Sequence, residues 1–394
     1  MSTIYDSPIS AGATQPGPYA PWSDPGDPAG PGGGLGSPPG PPRRFRRRWL
    51  LAGAAVVVGL GTFLGTGMMS GGTALTTAQL AARVDPGLVD VVSTLGLQQA
   101  QAAGTGLALT PSGEILTNNH VIEGATSIRV TDVGNGRSYP ARVVGYDRSH
   151  DIAVLQLQDA SGLATVTLGN SSTAAVGQKV VALGNAGGKG GIPSVAAGRI
   201  TGLGASITAS DASAGTSEQL TGLINHNADI QPGDSGGPLV NTAGQVIGID
   251  TAASSGFTIQ SGQAKTQAFA IPVNEAVSIA SQITAGTSSS TVHIGPTGFL
   301  GVAVMSAGNA AADGVQPGTG AALAGLVPGS PAGRAGLAAG DVIVSVDGHR
   351  VSSPSALQSA LELHHPGDSV SISWTDQAGQ THSATIVLAT GPAA

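Results

Sequence analysis

The sequence predicts a mainly β chain: an all-β sandwich or barrel pair, then a small α+β domain, the two preceded by a disordered tail and one transmembrane helix. Three observations carry this. Short β-type runs broken by Gly and Asn recur from residue 83 to residue 283. A second block, 298–389, mixes strand-like runs with one amphipathic helix, and an arginine cluster abuts an uncharged apolar stretch near the N-terminus.

The 394 residues leave room for two hydrophobic cores at roughly 100 to 200 residues each. A net charge of −7 with only 10% charged residues provides no basic field to hold nucleic acid. The absence of cysteine excludes thiol catalysis, disulfide scaffolding and Cys-ligated zinc together.

Residues 1–48 read as a disordered cytoplasmic tail. Runs such as Pro31-Gly32-Gly33-Gly34 and Pro38-Pro39-Gly40-Pro41-Pro42 cannot bury enough apolar surface to offset the entropy of ordering. The tail ends in Arg43, Arg44, Arg46, Arg47 and Arg48, and the uncharged residues 49–69 follow. At ~1.5 Å per residue that stretch reaches roughly 31 Å, matching a hydrocarbon core of ~30 Å. Arginines favour the cytoplasmic flank, so the expected topology is a single pass of the cytoplasmic membrane, N-terminus inside and catalytic domains outside. A cleaved signal peptide, including a twin-Arg one, is the rival, but the apolar run exceeds the ~7 to 15 residues of a signal core and no clear A-x-A site follows. Gly61 and Gly65 have GxxxG spacing, yet Gly is frequent in membrane spans and the pair is not taken as a dimer contact.

After a linker at 70–82, the first folded domain is placed at 83–285. Its strands include Ser127-Ile128-Arg129-Val130, Ile152-Ala153-Val154-Leu155-Gln156-Leu157 and Gln245-Val246-Ile247-Gly248-Ile249. A Gly/Thr/Ser-rich linker, 286–297, leads to the second domain at 298–390, with the strand Asp341-Val342-Ile343-Val344-Ser345-Val346 and a helix around 355–363.

Peptide hydrolysis by a serine needs a base for the hydroxyl proton, a carboxylate to orient that base and fixed donors where the oxyanion develops. Gly233-Asp234-Ser235-Gly236-Gly237-Pro238 offers the nucleophile Ser235, in a turn tight enough for the Gly233 and Ser235 N–H groups to converge on one oxygen. Thr117-Asn118-Asn119-His120-Val121-Ile122 follows a strand-like run and offers His120 as base. His150-Asp151-Ile152-Ala153-Val154 sets Asp151 at the mouth of an apolar strand, where little water competes for its bond to the imidazole. Subtilisin and the α/β-hydrolases use chain orders other than His, Asp, Ser.

These segments, with Gly104-Thr105-Gly106-Leu107-Ala108-Leu109, 145–157 and Phe269-Ala270-Ile271-Pro272-Val273, resemble the HtrA (DegP-like) branch of trypsin-like serine proteases over most of residues 83–283. The resemblance implies a trypsin-like double antiparallel β-barrel of six strands each. It makes His120 the general base, Asp151 its orienter, Ser235 the nucleophile, and the Gly233 and Ser235 amides the oxyanion hole. By the same resemblance Asp229, Ile249 and Thr251 fall at the substrate pocket, where this family prefers small or medium aliphatic residues. A buried Asp229 would need a cationic partner, and the alternative is a carboxylate turned to solvent or a backbone amide.

Three departures stand out. Asp234 replaces the family's usual Asn, and without a trypsin-like activation sequence near Arg83 it must find a partner other than a new N-terminus. The segment between Val92 and Gly104 lacks the long regulatory insertion of some members. No Tyr or Phe follows Phe63 before the protease domain, so the family's aromatic-dependent trimer is not implied and a homo-oligomer is left open.

Gly298-Phe299-Leu300-Gly301-Val302, Gly329-Ser330-Pro331-Ala332-Gly333-Arg334-Ala335-Gly336-Leu337 and Gly340-Asp341-Val342-Ile343 resemble a bacterial PDZ domain. Successive amides at Phe299, Leu300 and Gly301 can form a nest for a terminal carboxylate while the ligand adds a strand beside Val302. The glycine-rich 184–191 has the wrong spacing for a phosphate loop and no Ser or Thr after Lys189. His364 and His365 read as exposed loop residues without metal partners, and His226 as a hydrogen-bonded structural residue. The expected function is therefore an endopeptidase acting on misfolded or regulatory proteins outside the membrane. Its expected partners are polypeptide substrates and peptide C-termini, with no cofactor, metal or nucleic acid. A PDZ adaptor with an inert protease domain is the alternative.

Overall fold

The computed structural model describes residues 75–211, 216–251, 267–306, 309, 310, 314, 316 and 318–393. The expected tail, arginine cluster and membrane span lie outside the described residues. Among those described, no helix is long and apolar enough to cross a membrane.

Two antiparallel barrels form the larger part. In the first, β1 (Leu88–Leu95), β2 (Ala100–Ala108), β3 (Glu114–Thr117), β4 (Ser127–Asp132), β5 (Ser138–Asp147) and β6 (Ile152–Leu157) follow the order β5-β4-β1-β2-β3-β6, and direct pairing of β5 with β6 closes the ring. In the second, β7 (Lys179–Gly184), β8 (Ser194–Asp211), β9 (Thr216–His226), β10 (Pro238–Val240), β11 (Val246–Thr251) and β12 (Ala268–Pro272) close in the order β10-β11-β12-β9-β8-β7.

The sequence shows why some strands alternate and others do not. In β4, Ile128, Val130 and Asp132 are buried while Ser127 and Arg129 are exposed, the period-two pattern of a strand with one wet face. The run Ile152-Ala153-Val154-Leu155 of β6 is buried throughout, because its two faces serve different cores. Ile152 and Val154 join the core that includes Leu183, Val240 and Ile271 of the second barrel, whereas Ala153 and Leu155 join the interior of the first. β2 and β3 divide likewise, Leu107 and Leu116 to the shared core, Ala108 and Ile115 to the first barrel. The strands carrying the site are thus clamped from both sides.

Helix α1 (Thr77–Val84) starts at a capping box between Thr76 and Gln79 and sends Leu80, Ala81 and Val84 into the shared core. After the one-turn α2 (Asn119–Ile122), α3 (Val273–Thr284) buries Val273, Ala276, Ile279, Ala280 and Ile283 there, on the i, i+3, i+4 spacing of one helical face. Within the stretch expected as a linker, β13 (Val292–Ile294) pairs antiparallel with β5.

The C-terminal domain begins with β14 (Gly298–Phe299) and β15 (Val302–Val304). It continues with β16 (Ala321–Leu326), β17 (Val342–Val346), β18 (His349–Arg350), β19 (Ser369–Thr375), β20 (Thr381–Val387) and β21 (Ala389–Thr390). The main sheet runs β15-β16-β17-β19-β20, leaving β15 at an edge, while β14 pairs with β21. Leu300, Leu323, Ile343, Leu357 and Trp374 share its core. The expected helix spans Pro354–Leu361, with Ser353 as N-cap accepting from the Ala356 amide. Arg148, just before β6, bonds to Glu123 at 3.1 Å and to Glu362 of this domain at 2.6 Å.

Candidate active site

Asp151 closes the short turn Arg148–His150 in the left-handed conformation, φ 53°, which costs a non-glycine residue about 1–2 kcal/mol. The surroundings hold it there: its carbonyl accepts from Asn118 Nδ2 at 2.8 Å and its amide donates to the Arg148 carbonyl at 3.0 Å. The result is a carboxylate, 3% exposed, aimed at α2. The His120 amide donates to Oδ1 at 3.0 Å, and His120 Nδ1 lies 3.0 Å from Oδ1 and 2.9 Å from Oδ2. An ionised carboxylate only accepts, so Nδ1 carries the ring hydrogen and Nε2 keeps its lone pair. The Thr251 hydroxyl adds a third donor to this carboxylate, 3.1 Å from Oδ2.

The Ser235 segment is strapped between the two barrels. The Ser235 carbonyl accepts from the Thr105 amide of β2 at 2.8 Å, the Gly236 amide donates to the Asp250 carbonyl at 2.9 Å, and the Asp250 amide donates to the Gly237 carbonyl at 2.8 Å. Gly236 has φ 83°, and a Cβ there would lie 2.0 Å from the Thr105 carbonyl oxygen and 2.5 Å from Thr117 Oγ1. Thr117 stands three residues before His120, so the turn after Ser235 packs on the segment that leads to the His120–Asp151 pair. At Gly233, φ 100°, the Pro232 carbonyl accepts from the Gly187 amide at 2.7 Å. The Gly233 N–H, antiparallel to that carbonyl across a trans peptide, therefore points away from Gly187. The Thr105 hydroxyl completes the support, donating to the Gly233 carbonyl at 2.8 Å and accepting from the Asn185 amide at 2.9 Å. Thr105's part in holding the Gly233 turn left no separate signal in the sequence, because its partners are 80 and 128 residues away.

Asp234 is 3% exposed and finds its partners in the Ser194 hydroxyl at 2.7 Å and the Gln231 amide at 2.8 Å. Burial pushes its carboxyl above the usual range, and those two donors oppose the shift. The three expected pocket residues stand in different surroundings. Asp229 is exposed and accepts from Gln231 Nε2 at 3.1 Å; lacking a cation, it keeps its hydration instead of forming a buried pocket floor. Ile249 is fully buried in the shared core and presents no surface to a substrate, and Thr251 serves the Asp151 carboxylate.

In the C-terminal domain the Leu300 and Gly301 carbonyls are bonded inward, to the Ala332 and Val327 amides, both at 3.0 Å. The Gly301 N–H, antiparallel to the Leu300 carbonyl, then faces outward beside β15, and Gly301 takes φ 79° against Ser330. Phe299 and Val302 are half-buried and Leu300 is in the core. His364 sits 3.3 Å from Asp347, and His365 stacks on His293, so neither is a bare loop histidine. No group of metal-ligating side chains occurs among the described residues.

A family model described as a trypsin-like peptidase domain matches residues 104–249, and one described as a PDZ domain matches residues 323–375. A probable periplasmic serine endoprotease DegP-like of Halomonas elongata is 36% identical over 277 residues, 70% of this chain and 54% of its own. The serine protease PepD of Mycobacterium tuberculosis is 31% identical over 335 residues, 79% of this chain and 65% of its own. The chloroplastic protease Do-like 1 of Arabidopsis thaliana is 34% identical over 307 residues, 74% of this chain and 64% of its own. The chain therefore spans between about half and two thirds of the length of these relatives. With the double barrel, the edge-stranded C-terminal domain and these matches, the chain belongs to the HtrA (DegP-like) family of trypsin-like serine proteases with a C-terminal PDZ domain.

Proposed function

We propose that this protein is a serine endopeptidase that hydrolyses peptide bonds through an acyl-enzyme, with Ser235 as nucleophile, His120 as general base and Asp151 as the group that orients it. The observation that carries the reading is the two-oxygen grip of Asp151 on His120 Nδ1, with the Ser235 turn strapped to β2. That grip selects the tautomer whose Nε2 can take the serine proton and stabilises the imidazolium that forms. The Gly233 and Ser235 amides then receive the negative oxygen of the tetrahedral intermediate. A fluorophosphonate probe should label the wild type at one site and leave Ser235→Ala unlabelled; equal labelling of the two would sink the reading.

The C-terminal domain is inferred to bind free peptide C-termini, the carboxylate on the amides at Phe299, Leu300 and Gly301 and the peptide paired along the open edge of β15. The Arg148–Glu362 contact joins this domain to the turn that carries Asp151, which supports a sensor coupled to the protease over a passive tether. A coupling of ~1 to 3 kcal/mol changes the rate about 5- to 150-fold. Reporter-peptide cleavage should respond to that extent to a peptide ending in a hydrophobic residue, and not to its C-terminally amidated form. An unchanged rate at saturation by the free acid would reduce the domain to substrate capture.

The site of action is inferred to lie outside the cytoplasmic membrane, in line with the relatives named as periplasmic. The arginines at 43–48 and the apolar residues 49–69 supply the anchor in this reading. Protease added to intact spheroplasts should digest the catalytic domain and spare an epitope near Tyr5, and the opposite pattern overturns the topology.

A further inference from the structure

Beneath the Ser235 turn, inside the second barrel, the structure holds a buried ionisable pair that the proposed chemistry does not use. His226 ends β9 and Asp250 stands next to last in β11, with β12 between those strands. Both side chains are 0% exposed, and His226 Nε2 lies 3.1 Å from Asp250 Oδ1. This is contact distance without the alignment of a good hydrogen bond, and neither His226 Nδ1 nor Asp250 Oδ2 has a hydrogen-bond partner. An incompletely satisfied polar pair in a core is costly, and where only packing matters apolar residues of similar volume do as well or better. Its place in the fold is what distinguishes it. The Asp250 backbone makes two of the bonds that hold the turn after Ser235, accepting from Gly236 and donating to Gly237, while the next residue, Thr251, bonds to Asp151.

We propose that His226 and Asp250 are positioning residues for the nucleophile: one proton held between them keeps the end of β11 seated in the barrel, and loss of that proton releases the Ser235 turn. This rests on Ser235 being the nucleophile. Burial pushes the Asp250 carboxyl up; His226 opposes that shift, and the charge of Asp234, which precedes Ser235, adds to it. With the proton shared, the pair is neutral overall. Once it departs, Asp250 and Asp234 stand as two buried carboxylates flanking the nucleophile with no cation between them, and their repulsion moves the turn. The backbone neighbours of His226 by strand register, Ile200 and Ala268, bring no charge to the pair.

The test is the rate of fluorophosphonate labelling of Ser235 as a function of pH in the full chain, for wild type, His226→Gln with Asp250→Asn, and His226→Ala, with Ser235→Ala as the blank. The wild-type rate is expected to fall at alkaline pH. The amide pair keeps a contact but cannot titrate, so its rate should stay level where the wild type falls. His226→Ala, which leaves Asp250 without its partner, should label roughly 10- to 100-fold more slowly, the loss that a displacement of about 1 Å produces. The amide pair keeps the test open if His226→Ala does not fold. An absent alkaline fall in the wild type, or a fall of equal size in the amide pair, overturns the proposal and leaves Ser235 as nucleophile standing. Labelling of Ser235→Ala, or none of the wild type, overturns the nucleophile reading and this one with it.

Discussion

Ser235→Ala, His120→Ala and the double variant are expected to lose peptidase turnover to a similar degree, on the order of 10⁶-fold each, instead of multiplying their losses. The physical reason is that the two groups act on one proton. Without the hydroxyl the imidazole has nothing to deprotonate, and without the imidazole the hydroxyl stays a weak nucleophile. Asp151→Asn should cost about 10⁴-fold, because an amide can donate to Nδ1 and so favours the tautomer with its hydrogen on Nε2. Steady-state cleavage of a reporter peptide checks all four. A His120→Ala enzyme with near-wild-type turnover would remove it from the mechanism.

Among the described glycines, Gly236→Ala is expected to be the most damaging added methyl. The added carbon would sit 2.0 Å from the Thr105 carbonyl oxygen at a residue with φ 83°, so the turn carrying Ser235 must separate from β2. A displacement of about 1 Å there costs on the order of 10²-fold in rate. Gly204→Ala is the matched control. Its φ is 72°, but nothing stands within 4 Å of the new carbon, so only the left-handed strain of about 1–2 kcal/mol is paid, away from the site. Thermal unfolding and probe labelling of both variants separate the effects. Equal labelling rates would show that contact with Thr105 and Thr117 does not position Ser235.

Much of the site was legible because its chemistry is local in sequence. The glycines around Ser235 announce a backbone conformation that side chains forbid, and φ of 100° at Gly233 and 83° at Gly236 bear this out. The apolar run after Asp151 likewise announced a strand, and the structure buries it on both faces. Which way a pocket side chain points is not local: resemblance puts Asp229, Ile249 and Thr251 at the pocket, while Ile249 lies in the shared core and Thr251 bonds to Asp151.

By itself the sequence determined the strand-rich blocks, the small C-terminal domain and the three segments that supply hydroxyl, imidazole and carboxylate, since each depends on neighbours within a few residues. Tertiary structure alone decided the rest. It turned Thr251 toward Asp151 across 100 residues of chain, gave Asp234 the Ser194 hydroxyl across 40, set His226 against Asp250 and tied Arg148 to Glu362 across 214. Those contacts arise where barrel closure brings distant strands together, and a local pattern carries no record of which polar groups meet once water is excluded.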